Sequence, residues 1–347
     1  MKNWFFIILL CLTILLCLVV VILLSFDFLK QKQEGYHENY EKLFLNLVKR
    51  PIDPITKKYL KKIEQKNIIT KHIVQYSNEI NSGQQILKKK NIVVCGLIYN
   101  AESLISKLEK WFNDLTKLCE SCHIVIVENN SIDRTREFLD LWKKRNPNHV
   151  HLVCEESECK SFEHVGKELA NSAHKTRIEK MSYLRNKYLT YTKDNFKNID
   201  YVFVMDFDLD GVLYWDGIFH SIFQFYVNPD IEVIACNGIV NGSFLYYDSF
   251  AYAKDKNEIR WNSSNDKRSH DEDVLNNISR HYQENLEMDK VVSAFGGFSI
   301  YEFESFINRK YNYYDKGYSC EHCLFHESFN NIQVNPRMLY IIFENKT

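Results

Sequence analysis

Carboxylates occupy alternate positions in Asp206-Phe207-Asp208-Leu209-Asp210, directly after the apolar run from Tyr201 to Met205. Alternate side chains of an extended segment point the same way. Asp206 with Asp208, or Asp208 with Asp210, therefore makes a pair able to hold a hard divalent cation, Mn²⁺ or Mg²⁺, through oxygen ligands. Such a cation would neutralise a diphosphate. A solvated acidic turn would have no need of the apolar residues that bury its root. A second polar cluster, Glu128-Asn129-Asn130-Ser131-Ile132-Asp133-Arg134-Thr135, follows the apolar run from His123 to Val127. Ser131 or Asp133 would cap a helix starting there, but capping does not require Glu128 at the strand end. A third, Tyr99-Asn100-Ala101-Glu102, follows Ile92 to Ile98, and a late cluster from Tyr318 to Glu327 adds Glu321, His322 and His326.

The elements that must position these residues are legible as alternating patterns. Ile92 to Ile98, His123 to Val127, His149 to Val153 and Tyr201 to Met205 read as strands, while Ser103 to Leu118, Asp133 to Lys144 and Arg177 to Thr192 read as helices. That alternation predicts an α/β fold with a mostly parallel, Rossmann-like central sheet. Ligands of such sheets bind outside the carboxyl ends of the strands, where the polar clusters fall. Further strands are expected over Glu232 to Cys236, Gly242 to Tyr247 and Phe298 to Tyr301.

Composition removes several classes of function. The 44 Lys+Arg balance 45 Asp+Glu to a net charge of -1, so there is no basic field for a nucleic-acid backbone. The 11 Gly form neither a dinucleotide fingerprint nor a P-loop. Residues 1–28 differ from the rest: from Trp4 to Leu24 only Thr13 interrupts the apolar run, enough helix to span a bilayer. We read an uncleaved signal-anchor rather than a cleaved signal peptide, whose apolar region is shorter and ends at a small-x-small site. A polar stem over residues 29–90 and a catalytic domain over 91–347 follow, with the domain expected on the luminal (Golgi or ER) or external face as a single-pass type II protein. Of the 10 Cys, Cys119/Cys122 and Cys320/Cys323 have zinc-ligand spacing, but the two pairs lie far apart in sequence. Asn-x-Ser/Thr sequons start at Asn129, Asn241, Asn262, Asn277 and Asn345, and in so Asn-rich a chain most are explained by chance.

The order of an apolar strand, Glu-Asn-Asn-Ser-x-Asp-x-Thr, an Arg-containing helix and an apolar strand ending in Asp-x-Asp resembles the GT-A-fold glycosyltransferases, in the style of the large family-2-like group, over residues 91–347. The resemblance implies transfer of a sugar from a nucleotide-sugar donor to a hydroxyl of a glycan, glycoprotein or glycolipid acceptor. It implies that Glu128, Asn130, Ser131 and Asp133 hold the nucleoside, with Arg185-Asn186 on the helix and Arg177 as a phosphate partner. Asp206 and Asp208 would bind the donor diphosphate through Mn²⁺ or Mg²⁺, with Asp210 the alternative member of the pair. Ser293 to Tyr301, with Gly296-Gly297, resembles the turn that shapes the acceptor side. Glu321 is the candidate base for the acceptor hydroxyl, and His322 or His326 would complete the metal shell, unless the two simply share a helix face. Glu128-Asn129 stands where two Asp are common in that family.

Phe207-Asp208-Leu209-Asp210-Gly211-Val212-Leu213 is also similar to the first motif of haloacid-dehalogenase-like phosphatases, in which Asp208 would be a nucleophile and Asp210 an acid/base. That fold normally opens with this strand, and it needs a late Gly-Asp that does not follow here. A catalytically inactive, membrane-tethered binding protein is the third reading, and the retained acids speak against it.

Overall fold

The computed structural model describes residues 68–153, 175–241, 243, 245–262, 264–285 and 287–343. The expected signal-anchor, residues 29–67 of the stem, Cys154, Cys159 and the sequon at Asn345 lie outside these. Among the described residues no helix is long and apolar enough to cross a membrane.

In chain order the elements are α1 (Ile68–Leu87), β1 (Asn91–Ile98), α2 (Ile105–Leu115), β2 (Ser121–Glu128), α3 (Thr135–Arg145), β3 (Val150–Val153), α4 (Lys175–Asn195), β4 (Tyr201–Met205), β5 (Gly211–Leu213), α5 (Trp215–Val227), β6 (Val233–Val240), α6 (Ser264–Asp273), α7 (Ser279–Glu284), β7 (Asp289–Val291), β8 (Phe298–Glu302), α8 (Phe303–Ile307), α9 (Glu321–His326) and β9 (Ile332–Ile342). A single sheet takes the order β3-β2-β1-β4-β8-β6-β9-β5, with β7 paired to β9. The β3-β2-β1-β4 half is parallel. Beyond β4 the sheet turns mixed: β8 runs antiparallel to both β4 and β6, β9 runs parallel to β6, and β5 and β7 run antiparallel to β9. The expected mostly parallel sheet is therefore correct only for the amino-terminal half.

Both faces of the sheet are covered, which is why its central strands read as unbroken apolar runs. Val93, Cys95 and Leu97 of β1 face one core with Ile178, Leu184 and Tyr188 of α4. Ile92, Val94 and Ile98 face the other with Phe112 of α2, Trp142 of α3 and Ile222 of α5. Helix α1 joins this second core through Ile80 and Leu87, so the folded unit reaches back to residues assigned to the stem from sequence. Among the described residues of the range 242–247 no strand forms, and Tyr246 makes an isolated bridge to Ile239. Strand β9 has no clean strand pattern in the sequence because Pro336 interrupts it. Proline has no N–H for the ladder, and the register slips so that Asn335 faces Cys236 and Leu339 faces Asn237.

Candidate active site

The loops after β1 and β2 are tied to each other by side chains that reach across to backbone. The Asn100 N–H donates to Ser131 Oγ at 3.0 Å, and the Ile132 N–H donates to Asn100 Oδ1 at 2.9 Å. The Ala101 N–H donates to Thr135 Oγ1 at 2.8 Å. Glu102 and Asp133 exchange support: the Glu102 N–H donates to Asp133 Oδ2 at 3.2 Å, and the Arg134 N–H donates to Glu102 Oε2 at 2.9 Å. Asp133 also accepts from the Thr135 N–H at 3.0 Å, which meets an otherwise orphaned donor at the start of α3. Glu128, buried at the end of β2, accepts from the Ser131 N–H at 2.6 Å and stands 3.8 Å from Arg136. Asn100 and Asn130 take left-handed backbone with φ of 48° and 55°, a conformation Asn tolerates better than most residues. The structure brings Glu128, Asn130, Ser131 and Asp133 together, and it gives Ser131 and Asp133 a loop-holding task.

The acids after β4 meet at the seam between the parallel and mixed halves. The Asp206 N–H donates to the Gly297 carbonyl at 3.2 Å, so the Gly296-Gly297 turn lies beside the first acid. Both glycines have positive φ, 66° and 87°, and a Cβ on Gly296 would stand 2.5 Å from the Cys236 carbonyl. Arg185, projecting from α4, is 2% exposed. Its Nη2 donates to Asp206 Oδ1 at 3.2 Å and its Nε donates to Glu321 Oε1 at 3.0 Å. Nη1 lies 3.4 Å from the Tyr188 hydroxyl, and the guanidinium lies over the Phe295 ring, 5.4 Å from its centroid. Arg185, expected with Asn186 on the nucleotide-binding helix, is engaged by two acids, and its fork joins the β4 end to the amino end of α9.

One guanidinium does not balance this cluster. Burial pushes the Asp206 carboxyl above the usual carboxylate range although Arg185 pulls it down. Asp208 keeps a solvent-facing side, yet the protein around it and the neighbouring Asp206 push its carboxyl up to about 7. Asp248 was invisible to motif reading. It sits in left-handed backbone at φ 64°, and burial, Asp206 and Glu321 push it up to about 7. Arg177, half-buried on α4, lowers all three from a distance. Like charges held this close favour the protonated forms unless another cation intervenes.

Three other expected residues, Asp210, Asn186 and His326, are occupied elsewhere. Asp210 is ion-paired with Lys107 at 2.7 Å. Asn186 is spent on the Tyr311 backbone, donating to its carbonyl at 2.8 Å and accepting from its N–H at 2.9 Å. His326 has Nδ1 at 2.9 Å from the Ser293 hydroxyl and Nε2 at 2.8 Å from the Tyr301 hydroxyl, which leaves no lone pair for a metal. Burial and Arg185 hold it neutral, lowered to about 3. His322, 1% exposed and stacked on Phe295 at 3.9 Å, has neither ring nitrogen hydrogen-bonded. The donors left open are carboxylate oxygens in negative excess and the His322 imidazole, a chemistry that fits Mn²⁺ or Mg²⁺. Among the described residues no group of three or more His, Cys, Asp or Glu is placed to hold a metal ion, so Asp206 and Asp208 offer part of a shell and no zinc knuckle forms around Cys320 and Cys323. The phosphatase arrangement is not assembled either: Asp210 is tied to Lys107, and the chain passes directly into β5, antiparallel to β9.

No protein-family model matches the chain, and no curated protein does. Among solved structures the chain is similar to residues 1–349 of TarS from S. aureus in complex with UDP-GlcNAc, with 16% identity and a TM-score of 0.42 over 74% of this chain and 59% of that one. It is similar to the mannosyltransferase PcManGT from Pyrobaculum calidifontis in complex with GDP-Man and Mn²⁺, with 14% identity and a TM-score of 0.41 over 80% of this chain and 67% of that one. It is also similar to GalNAc-T7 with UDP, GalNAc and Mn²⁺, with 13% identity and a TM-score of 0.43 over 74% and 44% of the respective chains. The match thus spans less than two thirds of the TarS and GalNAc-T7 chains.

Proposed function

We propose that the chain is a metal-dependent glycosyltransferase of GT-A type, taking a nucleotide-sugar donor across the carboxyl ends of β1, β2 and β4. The observation that carries this reading is the crowding of Asp206, Asp208, Asp248 and Glu321 around the buried Arg185. Four acids against one paired guanidinium make a place where a divalent cation would be strongly held, and the stitched loops after β1 and β2 open beside the same sheet edge. Asp206 and Asp208 are the residues that would hold Mn²⁺ or Mg²⁺, and the ion would supply positive charge against the donor diphosphate. Glu128 and Asn130 face the nucleoside, with Ser131 and Asp133 fixing the loop that carries them. Arg185 fixes the positions of Asp206 and Glu321, and Arg177 adds positive charge toward the phosphates. Glu321 takes the proton of the acceptor hydroxyl at the oxygen Arg185 does not engage. The acceptor is a glycan, glycoprotein or glycolipid, met from a membrane-anchored type II topology on the luminal or external side.

Residues 29–347, incubated with a panel of nucleotide sugars, should hydrolyse or transfer one of them only when Mn²⁺ or Mg²⁺ is present. Turnover that persists undiminished in excess chelator would remove the metal role of Asp206 and Asp208. Release of phosphate from simple phosphomonoesters, with an aspartyl-phosphate on Asp208 and no nucleoside-diphosphate binding, would replace the reading with the phosphatase one. Protease protection of the full chain in sealed microsomes tests the topology: digestion of the domain from the cytosolic side would reverse it.

A further inference from the structure

The two Cys-x-x-Cys pairs share a spacing and differ in surroundings. Cys119 lies in the turn between α2 and β2, half-buried, with its Sγ donating to the Leu115 carbonyl at 3.2 Å. Cys122, the second residue of β2, is 2% exposed. The two thiols hydrogen-bond to each other, and neither is in a disulfide. The turn that holds them is anchored, since the Glu120 N–H donates to the Lys90 carbonyl at 3.0 Å and Ser121 is in register with Asn91. The Cys122 hydrogen bond draws the Cys119 thiol downward, while burial pushes Cys122 well up. A half-buried thiol that a solute can reach, backed by a buried partner three residues on, has the order needed for attack followed by resolution.

We propose that Cys119 and Cys122 form a thiol–disulfide exchange site, in which Cys119 attacks a small-molecule disulfide such as oxidised glutathione and Cys122 resolves the mixed disulfide. In the first step the Cys119 thiolate bonds to one glutathione sulfur, and the other glutathione leaves as thiolate. In the second, Cys122 loses its proton and bonds to Cys119 Sγ, and the second glutathione leaves. Two electrons and two protons pass from the pair to the oxidised glutathione, giving two glutathione thiols. The pair sits at the amino ends of β1 and β2, opposite the acid cluster, so its chemistry can be read independently of sugar transfer. Cys320 and Cys323 are the internal contrast: at 3% and 0% exposure they offer no thiol to a disulfide in solution, and burial pushes Cys320 well above the usual thiol range.

The full chain incubated with oxidised glutathione, then alkylated after unfolding and mapped by mass spectrometry, tests this. The wild type should lose the Cys119 and Cys122 thiols together as an internal disulfide, with Cys320 and Cys323 still alkylated. Cys122→Ala should accumulate glutathione on Cys119, and Cys119→Ala should leave Cys122 unmodified. Removing the Cys122 hydrogen bond should also slow Cys119 alkylation at pH 7 by roughly threefold, because less thiolate is present. Should Cys122→Ala not fold, closure in the wild type and the pH profile of its Cys119 alkylation decide alone, with an inflection below that of an ordinary thiol expected. Glutathione that stays on wild-type Cys119 without closure, equal modification of Cys119 and Cys122, or no reaction with either would each overturn the proposal.

Discussion

The polar residues at the carboxyl edge of the sheet form two neighbouring groups that are finished in opposite ways. In the loops after β1 and β2 the carboxylates of Glu102, Glu128 and Asp133 each accept from a backbone N–H, and Ser131 and Thr135 accept from the facing loop. Every one of these contacts lowers the energy of a loop shape. Around the end of β4, Asp206 and Glu321 share one guanidinium, and among the described residues Asp208 accepts only from its own backbone and the Asp248 carboxyl receives no hydrogen bond. Those charges raise the energy of the fold as it stands. On the function proposed above, the difference separates scaffold from reacting centre: a satisfied polar group fixes geometry, and a frustrated one is held ready for a ligand that relieves it.

The most severe way to break the contrast is to take away the guanidinium that pairs directly with two of the acids. Arg185→Met should cost about 3–5 kcal/mol of stability, because Asp206 and Glu321 would be left buried without a partner. Denaturant unfolding measures it, and a loss below about 1 kcal/mol would show that water already screens the pair. Asp208→Asn should act on the chemistry instead of the fold, lowering metal-dependent turnover about a hundredfold while leaving the unfolding midpoint unchanged or slightly raised, since a crowding charge is removed. Turnover within a factor of two of wild type would place the metal elsewhere.

On the scaffold side, Asp133→Ala strips an acceptor from the Glu102 and Thr135 N–H groups and should cost about 1–2 kcal/mol. Its kinetic mark should be a raised KM for the donor with little change in kcat, because the loop is loosened and no reacting group is lost. The frustration itself can be read from pH. An acid held at about 7 in the fold and near its ordinary value when unfolded binds more protons in the native state between about 4 and 7. Asp248 therefore contributes stability that is fully present below about pH 4 and is lost steadily as the pH rises to about 7, with no further change above about 8. Asp248→Asn, which keeps a residue tolerant of positive φ, should remove that slope from the difference between mutant and wild-type melting curves, and a difference independent of pH would place Asp248 in ordinary solvent. The smallest effect belongs to Lys107→Ala. Its ion pair with Asp210 is largely exposed, so the loss should stay within about 1 kcal/mol with turnover unaltered. Abolished metal dependence in this variant would return Asp210 to the metal site.

What the sequence determined by itself is whatever depends on neighbours along the chain. Four apolar runs alternating with amphipathic segments set β1 to β4 and their helices, because period and burial are local properties of a strand in a covered sheet. The Asp-x-Asp at the end of β4 and the capping turn before α3 are legible for the same reason. The tertiary structure alone decided the partners. Arg185 reaches Asp206 and Glu321 because α4 packs across β1 and β2 and against α9, and the turn before β8 brings Phe295 and the glycines beside it. Asp248 joins the acids from a loop with no motif. His322 and His326, four residues apart on a short helix, have the spacing of paired ligands, yet burial gave His326 two hydroxyl partners and packed His322 against Phe295. Residue type and spacing fix which chemistry is available; desolvation and the nearest opposite charge, both set by segments distant in the chain, fix which of those groups is free to perform it.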